Sequence, residues 1–470
     1  VNKISPRSGT GVQLGDSGDT ITIPAGATIS NAGTAAGFGS TGEVSWNTTV
    51  KTGDFTATSG SGFFVNTAGG AVTVTLPSSP SAGNVVAVSD YNGSASTNTI
   101  TIGRNSSNIN GSASDLLITK SNSAIQLVYV DATTGWQNVT TANPSDVTNP
   151  FVVATGGTIT ESGNFKIHTF TGPGTFTVTN AGSSSGSNTV SYLAVAGGGG
   201  GAGDESNGYG AAGGGAGGFR ESKASTDSYT ASPLNATSGP TYNLPVSIQG
   251  YPIAVGGGGA AGPNPTSGGS RGVNSTFSSI ISTGGGGGTA GTAINPASPG
   301  GSGGGGAGPA ASNPQGAGGI GNTPPVSPPQ GNTGGTARTS GTKLGGGGGG
   351  GATAVGEPFQ ASIPGNTAGD GGAGATTSIS ATPTAYGGGG GGGAFNSVPA
   401  GDNTTDGAGG TGGGGPGGQV IPGNSHDAVA GTANTGGGGG GAASNSPSSP
   451  GVVNAGAGGS GIVIIRYKFQ

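Results

Sequence analysis

Glycine is distributed so unevenly along this chain that it limits the folds open to the second half. Of the 113 glycines in 470 residues, 26 lie in residues 1–196 and the other 87 in residues 197–470. Eight runs of four or more glycines occur there, at 197–201, 256–259, 284–288, 303–306, 345–351, 387–393, 412–415 and 436–441. The strict Gly-X-Y period of collagen is missing and the runs start at irregular intervals, which excludes a triple helix and a fixed-period solenoid.

Polyglycine can become ordered without a hydrophobic core. The threefold extended helix has no internal hydrogen bonds, so its N–H and C=O groups must bond to neighbouring helices, and side chains on shared faces would prevent that approach. The runs alternate with apolar stretches such as Tyr242–Val246 and Phe277–Ile281, which a flexible linker would not contain. We therefore predict that residues 197–460 form packed polyglycine II-type helices joined by variable loops.

The first part of the chain is predicted to be β-structure. Residues 1–45 have small, polar and β-branched residues but too few large apolar ones for a core, which indicates a β stem that gains order from neighbouring chains. Seven strand-like runs follow within residues 46–145 and predict a small β-sandwich or jelly roll. Trp46 and Trp136 are interpreted as core residues at its two ends, with a glycan-stacking tryptophan as the alternative.

A second β segment, residues 146–196, precedes the glycine runs. Residues 165–170 and 175–179 alternate with period two around the turn 172–174, which predicts a hairpin. The most hydrophobic strand of the chain lies at its end, in residues 461–470. Because an exposed strand of this kind would promote aggregation, we expect it to pair with the strand 190–195 and to close the glycine-rich region.

Composition and motifs argue against several classes of function. The net charge is −5 and lacks the basic stripe of a nucleic-acid-binding protein. No apolar stretch is long enough to cross a bilayer, and without cysteine there is neither a disulfide nor a thiolate metal site. Gly-x-Ser-x-Gly at 268–272 and 300–304 is expected by chance at this glycine density.

Few side chains could support catalysis. His168 alternates within a strand and His426 lies in a polar loop, each without an evident partner. The carboxylate clusters are Asp16 with Asp19, Asp204 with Glu205, and Asp402 with Asp406. Turn-forming or solvated aspartates explain them better than the paired acids of a glycan hydrolase, and calcium at one of them stays an alternative. We predict no catalytic, metal or cofactor-binding residue and no enzyme activity.

Aromatic residues beside the glycine runs offer the best candidates for binding. They are Tyr209, Phe219, Tyr229, Phe359, Tyr386 and Phe395. In one interpretation they fill the ends of the glycine lattice; in the other, some stand at an exposed tip and supply contact area to a receptor. Phe359 and Phe395 are the predicted receptor contacts.

The strands framing the glycine runs resemble the glycine-rich domain of phage tail fibres. Four stretches carry this resemblance over about residues 149–470: 165–170, 175–178, 192–201 and 459–467. The block containing residues 83–88 and 127–136 resembles modules in structural proteins of marine cyanophages, and the packed polyglycine is similar to adhesins at the tips of T-even-like long tail fibres.

The resemblance implies a virion protein, located outside cells, that contacts a host surface receptor such as a glycan or an outer-membrane protein. It further implies other virion tail proteins as partners and a homotrimeric fibre; it transfers no catalytic residue. A self-assembling extracellular filament or a capsid decoration protein is the alternative. A tailspike depolymerase fits less well, because it would need paired acids in a groove.

Overall fold

The computed structural model describes residues 44–140, 147–148, 150–184, 186–203, 210–263, 267–290, 297–307, 316–340, 343–362, 365–395, 404–420, 425–443 and 453–470. These residues form strands, turns and extended segments, and none of them is helical. The prediction of a mostly β chain is therefore confirmed. The predicted polyglycine II-type helices are not seen among the described residues. All but the last two residues of the predicted stem, residues 1–45, lie outside the described residues.

Among the described residues, the first module contains ten strands in two open sheets. The strands are β1 (Ser45–Lys51), β2 (Phe55–Thr56), β3 (Ser61–Val65), β4 (Val72–Thr75), β5 (Val85–Asp90), β6 (Ile100–Gly103), β7 (Leu116–Ile118), β8 (Ala124–Asp131), β9 (Gly135–Thr140) and β10 (Val147–Thr148). One sheet has the order β1-β3-β5-β8-β9 and the other has the order β10-β7-β6-β4-β2.

The first six strands alternate between these two sheets. Strands β1, β3 and β5 pair in parallel in one sheet, and β2, β4 and β6 pair in parallel in the other. A chain that returns to the same sheet with every second strand winds as a short β-solenoid. Antiparallel pairing, which a sandwich requires, occurs here only in the pairs β5–β8, β6–β7, β8–β9 and β7–β10, so the predicted sandwich is not confirmed.

Side chains from both sheets meet in one hydrophobic cluster. Phe63 and Val65 of β3 and Val74 of β4 are buried in it, and Trp136 is completely buried. Trp46 is 41% exposed and stacks on Phe64, with ring centroids 4.8 Å apart. The core position predicted for Trp136 is confirmed. The core position predicted for Trp46 is wrong, because β1 is an edge strand and the ring of Trp46 lies on the outer face of its sheet.

A second pair of sheets holds the glycine-rich region. Its strands are β11 (Val152–Thr155), β12 (Thr158–Ser162), β13 (Phe165–Phe170), β14 (Gly174–Ala181), β15 (Thr189–Val195), β16 (Phe219–Ser222), β17 (Leu244–Pro245), β18 (Gly250–Ala254), β19 (Ser275–Phe277), β20 (Ile280–Ser282) and, at the end of the chain, β30 (Ile462–Lys468). The two sheets run β11-β14-β18-β19-β20 and β12-β13-β30-β15-β16, with β17 also pairing with β15.

Strand β30 lies in the middle of its sheet. It pairs antiparallel with β15, from Ser191 opposite Arg466 to Val195 opposite Ile462. Its other edge pairs with β13. The predicted pairing of the last strand with residues 190–195 is thus confirmed, and the glycine-rich region is an insertion between two neighbouring strands.

The hairpin predicted around residues 172–174 is wrong. Strand β13 pairs with β12 across the turn at Gly163, whereas β14 pairs with β11 in the other sheet. Strands β11 and β12 form one arm of a long hairpin, and β13 and β14 form the other arm. The first arm bends from one sheet to the other at Gly156 and Gly157, whose φ angles are 108° and 65°. Residues 172–174 connect the two sheets instead of reversing the chain, because β30 occupies the free edge of β13.

Within the part of the chain that the structure describes, nine further short strands lie between the glycine segments. They are β21 (Arg338–Ser340), β22 (Lys343–Gly345), β23 (Gln360–Ser362), β24 (Gly365–Thr367), β25 (Ala375–Thr377), β26 (Thr384–Tyr386), β27 (Ala394–Phe395), β28 (Thr404–Thr405) and β29 (Gln419–Val420). They form the sheets β21-β22-β27-β29 and β23-β24-β28 and the hairpin β25-β26.

Candidate functional site

The glycine segments run back and forth between two ends. Ala196 and Gly218, which adjoin β15 and β16, are hydrogen-bonded at 3.1 Å and mark the end that we name proximal. Ala202 and Ala212, six residues further from that contact on each segment, are bonded at 3.0 Å and mark the end that we name distal. The framing sheets therefore lie at the proximal end.

Successive N–H groups in one segment bond to three different neighbours in rotation. The amides of Gly213, Gly214 and Gly215 donate to Gly347, Gly439 and Gly286, at 3.1, 2.8 and 2.8 Å. The next three amides return to the same segments in the same order, each three residues along: Ala216 to Gly350, Gly217 to Gly436 and Gly218 to Thr283. A segment with this period of three bonds to neighbours on three sides, unlike a strand, which bonds on two.

Side chains are excluded from the interior of this network. A Cβ atom at Gly214 would lie 2.1 Å from the carbonyl oxygen of Gly199, and one at Gly348 would lie 2.0 Å from that of Asp370. By contrast, a Cβ at Gly257 would meet nothing within 4 Å. Glycine is therefore required by close backbone contact at Gly214 and Gly348, and is not required by any contact at Gly257.

The distal end carries two of the small sheets. Gly346 donates to Gly393 at 3.1 Å, and Gly393 donates to the distal residue Ala211 at 2.8 Å. Strand β22 ends and β27 begins beside these glycines, and in their sheet Leu344 pairs with Phe395 and Phe395 with Val420. The sheet β23-β24-β28 adjoins the same end, since Gly369, two residues after β24, donates to Gly346 at 2.9 Å.

A histidine and two carboxylates lie near these sheets. The Nε2 atom of His426 is 3.7 Å from Oδ1 of Asp406, which gives His426 a partner that the sequence did not indicate. Burial raises the pKa of Asp406, and the neighbouring His426 opposes that shift. Asp370 accepts a hydrogen bond from the amide of Ala408 at 2.7 Å. Asp402, predicted to lie beside Asp406, falls outside the described residues.

The two predicted receptor contacts differ in their placement. Phe359 is completely buried, and its ring fills the position that a side chain at Gly345 would take. The prediction that Phe359 stands at an exposed tip is therefore wrong: without a side chain, Gly345 leaves a hollow that the ring occupies. Phe395 belongs to the distal sheet through its backbone, and its role as a receptor contact stays a prediction.

The other aromatics mostly close the proximal end. Phe219, Tyr229 and Tyr386 are buried together with Ile379 in one cluster under the framing sheet. These three agree with the interpretation that aromatic side chains fill the ends of the glycine network. Tyr209 lies outside the described residues.

A buried charge network, which sequence reasoning missed, joins the closing strand to the proximal end. Arg466 and Asp227 are both buried, with Nε and Oδ1 3.0 Å apart, and Ser191 donates to the other oxygen of Asp227 at 2.8 Å. Nearby, buried Glu221 accepts a hydrogen bond from the amide of Ser232 at 2.9 Å. Burial and these two carboxylates raise the pKa of Tyr229. The feature of the sequence that could have indicated this network is Arg466, a charged residue inside the otherwise apolar stretch 462–467.

His168 is a core residue. It is completely buried, with Nδ1 2.7 Å from the carbonyl oxygen of Gly156 and Nε2 3.1 Å from the hydroxyl of Tyr467. Burial lowers the pKa of His168 and raises that of Tyr467 to about 12. In the part of the chain that the structure describes, no group of three or more histidine and carboxylate side chains could hold a metal ion. No helix there is long and apolar enough to span a membrane.

The frame and the glycine network together correspond to a known family. Residues 169–468 match the model of the glycine-rich domain, from within β13 to the last residue of β30, and the chain therefore belongs to the glycine-rich domain family. No curated protein matches the chain.

Proposed function

We propose that the glycine segments form a polyglycine II lattice that serves as a rigid, non-enzymatic scaffold for adhesion. The observation that carries this proposal is the rotation of amide hydrogen bonds among three neighbours with a period of three residues. Polyglycine II has three residues per turn and no internal hydrogen bonds, so its amides point outward in three directions. Side-chain exclusion at Gly214 and Gly348 is the steric counterpart of that packing.

In this proposal the distal end makes the contacts with the host. A lattice held by backbone bonds constrains its interior to glycine, whereas the connections between segments are free to vary in sequence. Rigid scaffolds with variable connecting segments are the usual arrangement of binding proteins. Since the framing sheets and β30 occupy the proximal end, the distal end is the one left to meet a receptor.

The particular setting that we propose is a phage tail fibre, as the resemblance of the framing strands implies. The receptor would be a glycan or a protein of the host outer membrane, the other partners would be virion tail proteins, and the fibre would be a homotrimer outside the cell. Residues at the distal sheets, Phe395 among them, are the proposed contact surface.

Antibody fragments against the two ends of the molecule test this function. One fragment is raised against the distal sheets and the other against the first module, and each is applied to virions before mixing with host cells. We expect the distal fragment to label fibre tips in electron micrographs and to block adsorption, whereas the first-module fragment labels the fibre without blocking. Labelling over the capsid surface would indicate a decoration protein, and labelling of filaments free of virions would indicate a self-assembling filament.

A further inference from the structure

A cleft of about 440 Å³ lies where the first module meets the second. Its floor is the outer face of the sheet that contains β6 and β7. Ile100 and Ile102 of β6 point into the core, so Thr99 and Thr101 lie on the opposite face. Leu117 of β7 is the cross-strand partner of Thr101 and lines the cleft beside it.

Pro150 and Phe151 cover this floor and are firmly held. The carbonyl oxygen of Pro150 accepts hydrogen bonds from the amides of Ser183 and Ser187, both at 3.0 Å. Phe151 pairs with Ser187 through a β-bridge, and the ammonium group of Lys468 lies 5.5 Å from the centre of its ring. The cleft is thus formed between fixed elements, as ligand pockets usually are.

The polar groups of the cleft have bonding capacity left over. Among the described residues the hydroxyls of Thr99 and Thr101 have no protein hydrogen-bond partner. Asp115 uses one carboxylate oxygen to accept the amide of Arg104 at 2.9 Å, and its other oxygen has no partner within the described part of the chain. These groups alternate with the apolar surfaces of Leu117 and Phe151.

We infer that this cleft binds a neutral saccharide. A sugar presents hydroxyl groups and C–H faces side by side, which matches hydroxyls and a carboxylate set beside an aliphatic and an aromatic surface. Among the described residues no basic side chain lines the cleft, which disfavours a phosphate or another anion. The volume lies within the range of about 300–1,000 Å³ found for small-molecule sites. The inference does not rest on the adhesion proposed for the distal end.

Ligand-observed saturation-transfer NMR on the full chain tests the inference. The probes are neutral hexoses, deoxyhexoses, N-acetylhexosamines and their disaccharides, with inorganic phosphate and spermidine as charged comparisons. We expect transfer to at least one saccharide and none to phosphate. Thr101→Val and Phe151→Ala should each weaken that saccharide about five-fold or more, since one hydrogen bond or one apolar contact is lost.

The matched control is Thr75→Val. Thr75 lies on the same outer face of the same sheet but does not line the cleft, so its replacement should leave the affinity unchanged. If Phe151→Ala disturbs folding, Thr99→Val replaces it as the second test variant. The inference is overturned if no saccharide shows transfer, if both cleft variants bind like the parent, or if only spermidine binds and Asp115→Asn abolishes it.

Discussion

Glycine at positions 214 and 348 is fixed by its neighbours and not by its own backbone conformation. At both positions φ lies outside the left-handed range, yet a carbonyl oxygen of another segment occupies the space of a Cβ atom. The usual reason for requiring glycine, a positive φ, therefore does not apply to most of the network. What the sequence shows as low complexity is a set of separate steric requirements, each set by a different partner segment.

Two glycines of the run 256–259 provide a matched test of this steric requirement. A Cβ at Gly259 would lie 2.1 Å from the carbonyl oxygen of Ser270, whereas one at Gly257 would be free. We expect Gly259→Ala to lower the free energy of unfolding by about 1–3 kcal/mol or more, because the backbone must shift. Gly257→Ala should be neutral or stabilising by about 0.4–1 kcal/mol, since it restricts the unfolded chain. Urea denaturation measures both; equal losses would contradict the steric explanation.

Buried His168 should make stability depend on pH. Because burial lowers its pKa in the folded state, the unfolded chain binds more protons below the ordinary value of about 6.5. Stability is then complete above that pH and falls as the pH decreases below it. We expect the free energy of unfolding to decrease as the pH falls below about 6.5, and the decrease to be smaller in His168→Asn. An equal slope in that variant would assign the dependence to other groups.

The positions of strands could be predicted from the local sequence pattern, whereas the pairing of strands with one another could not. Runs such as 71–76 and 125–130 alternate clearly between apolar and polar residues and contain strands. The apolar strand 462–468 was expected to lie inside a sheet, and it pairs with a neighbouring strand on each side. Alternation shows which face of a strand is buried but not which strand lies beside it. For that reason the parallel winding of β1 to β6 and the bent hairpin at Gly156 were missed.

The candidate site was predictable to a smaller degree. Glycine density alone indicated a lattice without side chains, and the aromatic residues indicated its ends. Which aromatic is exposed depends on hollows that only the folded network creates, as at Phe359 over Gly345. The ion pair of Arg466 with Asp227 joins residues 239 positions apart, a separation over which sequence pattern carries no signal.

Strand β30 is the element whose loss should have the widest effect. Ile464 and Ile465 are buried on opposite faces, one in the cluster under the glycine network and the other between the two framing sheets. Each contributes about 1.5–3 kcal/mol, and aspartate at either position adds the cost of a buried charge. We expect Ile464→Asp with Ile465→Asp to abolish the fold of residues 150–470, as measured by thermal unfolding. Ile281→Asp is the control, since Ile281 is 53% exposed in β20, and wild-type stability of the double variant would refute the closing role of β30.

At the scale of the whole molecule, each glycine segment of the network is hydrogen-bonded to several other segments. Segment 210–218 bonds to segments that begin at residues 284, 346 and 436, and each of these has partners of its own. Glycine loses more conformational entropy on ordering than any other residue, so one segment alone cannot stay ordered. The stability of each segment thus depends on the presence of all its neighbours. The predicted homotrimer would extend this dependence between chains.

Hydrogen exchange would show whether the glycine-rich region opens as one unit. In a network of this kind the amides of Gly199, Gly214, Gly349 and Gly390, each bonded at 2.8 Å to a segment other than its own, can exchange only when the whole network opens. Their protection should therefore give one common free energy of opening, as expected for a single cooperative unit. Gly259→Ala should lower that value equally at all four, although the amide of Gly390 donates to Gly214 and that of Gly259 donates to Gly198. Amides of the first module, such as that of Leu127 in β8, should keep their protection, because their hydrogen bonds lie in a separate sheet. Protection that decreases gradually with distance from residue 259 would instead indicate segments that open one by one, and the lattice would then be no more than a set of neighbouring loops.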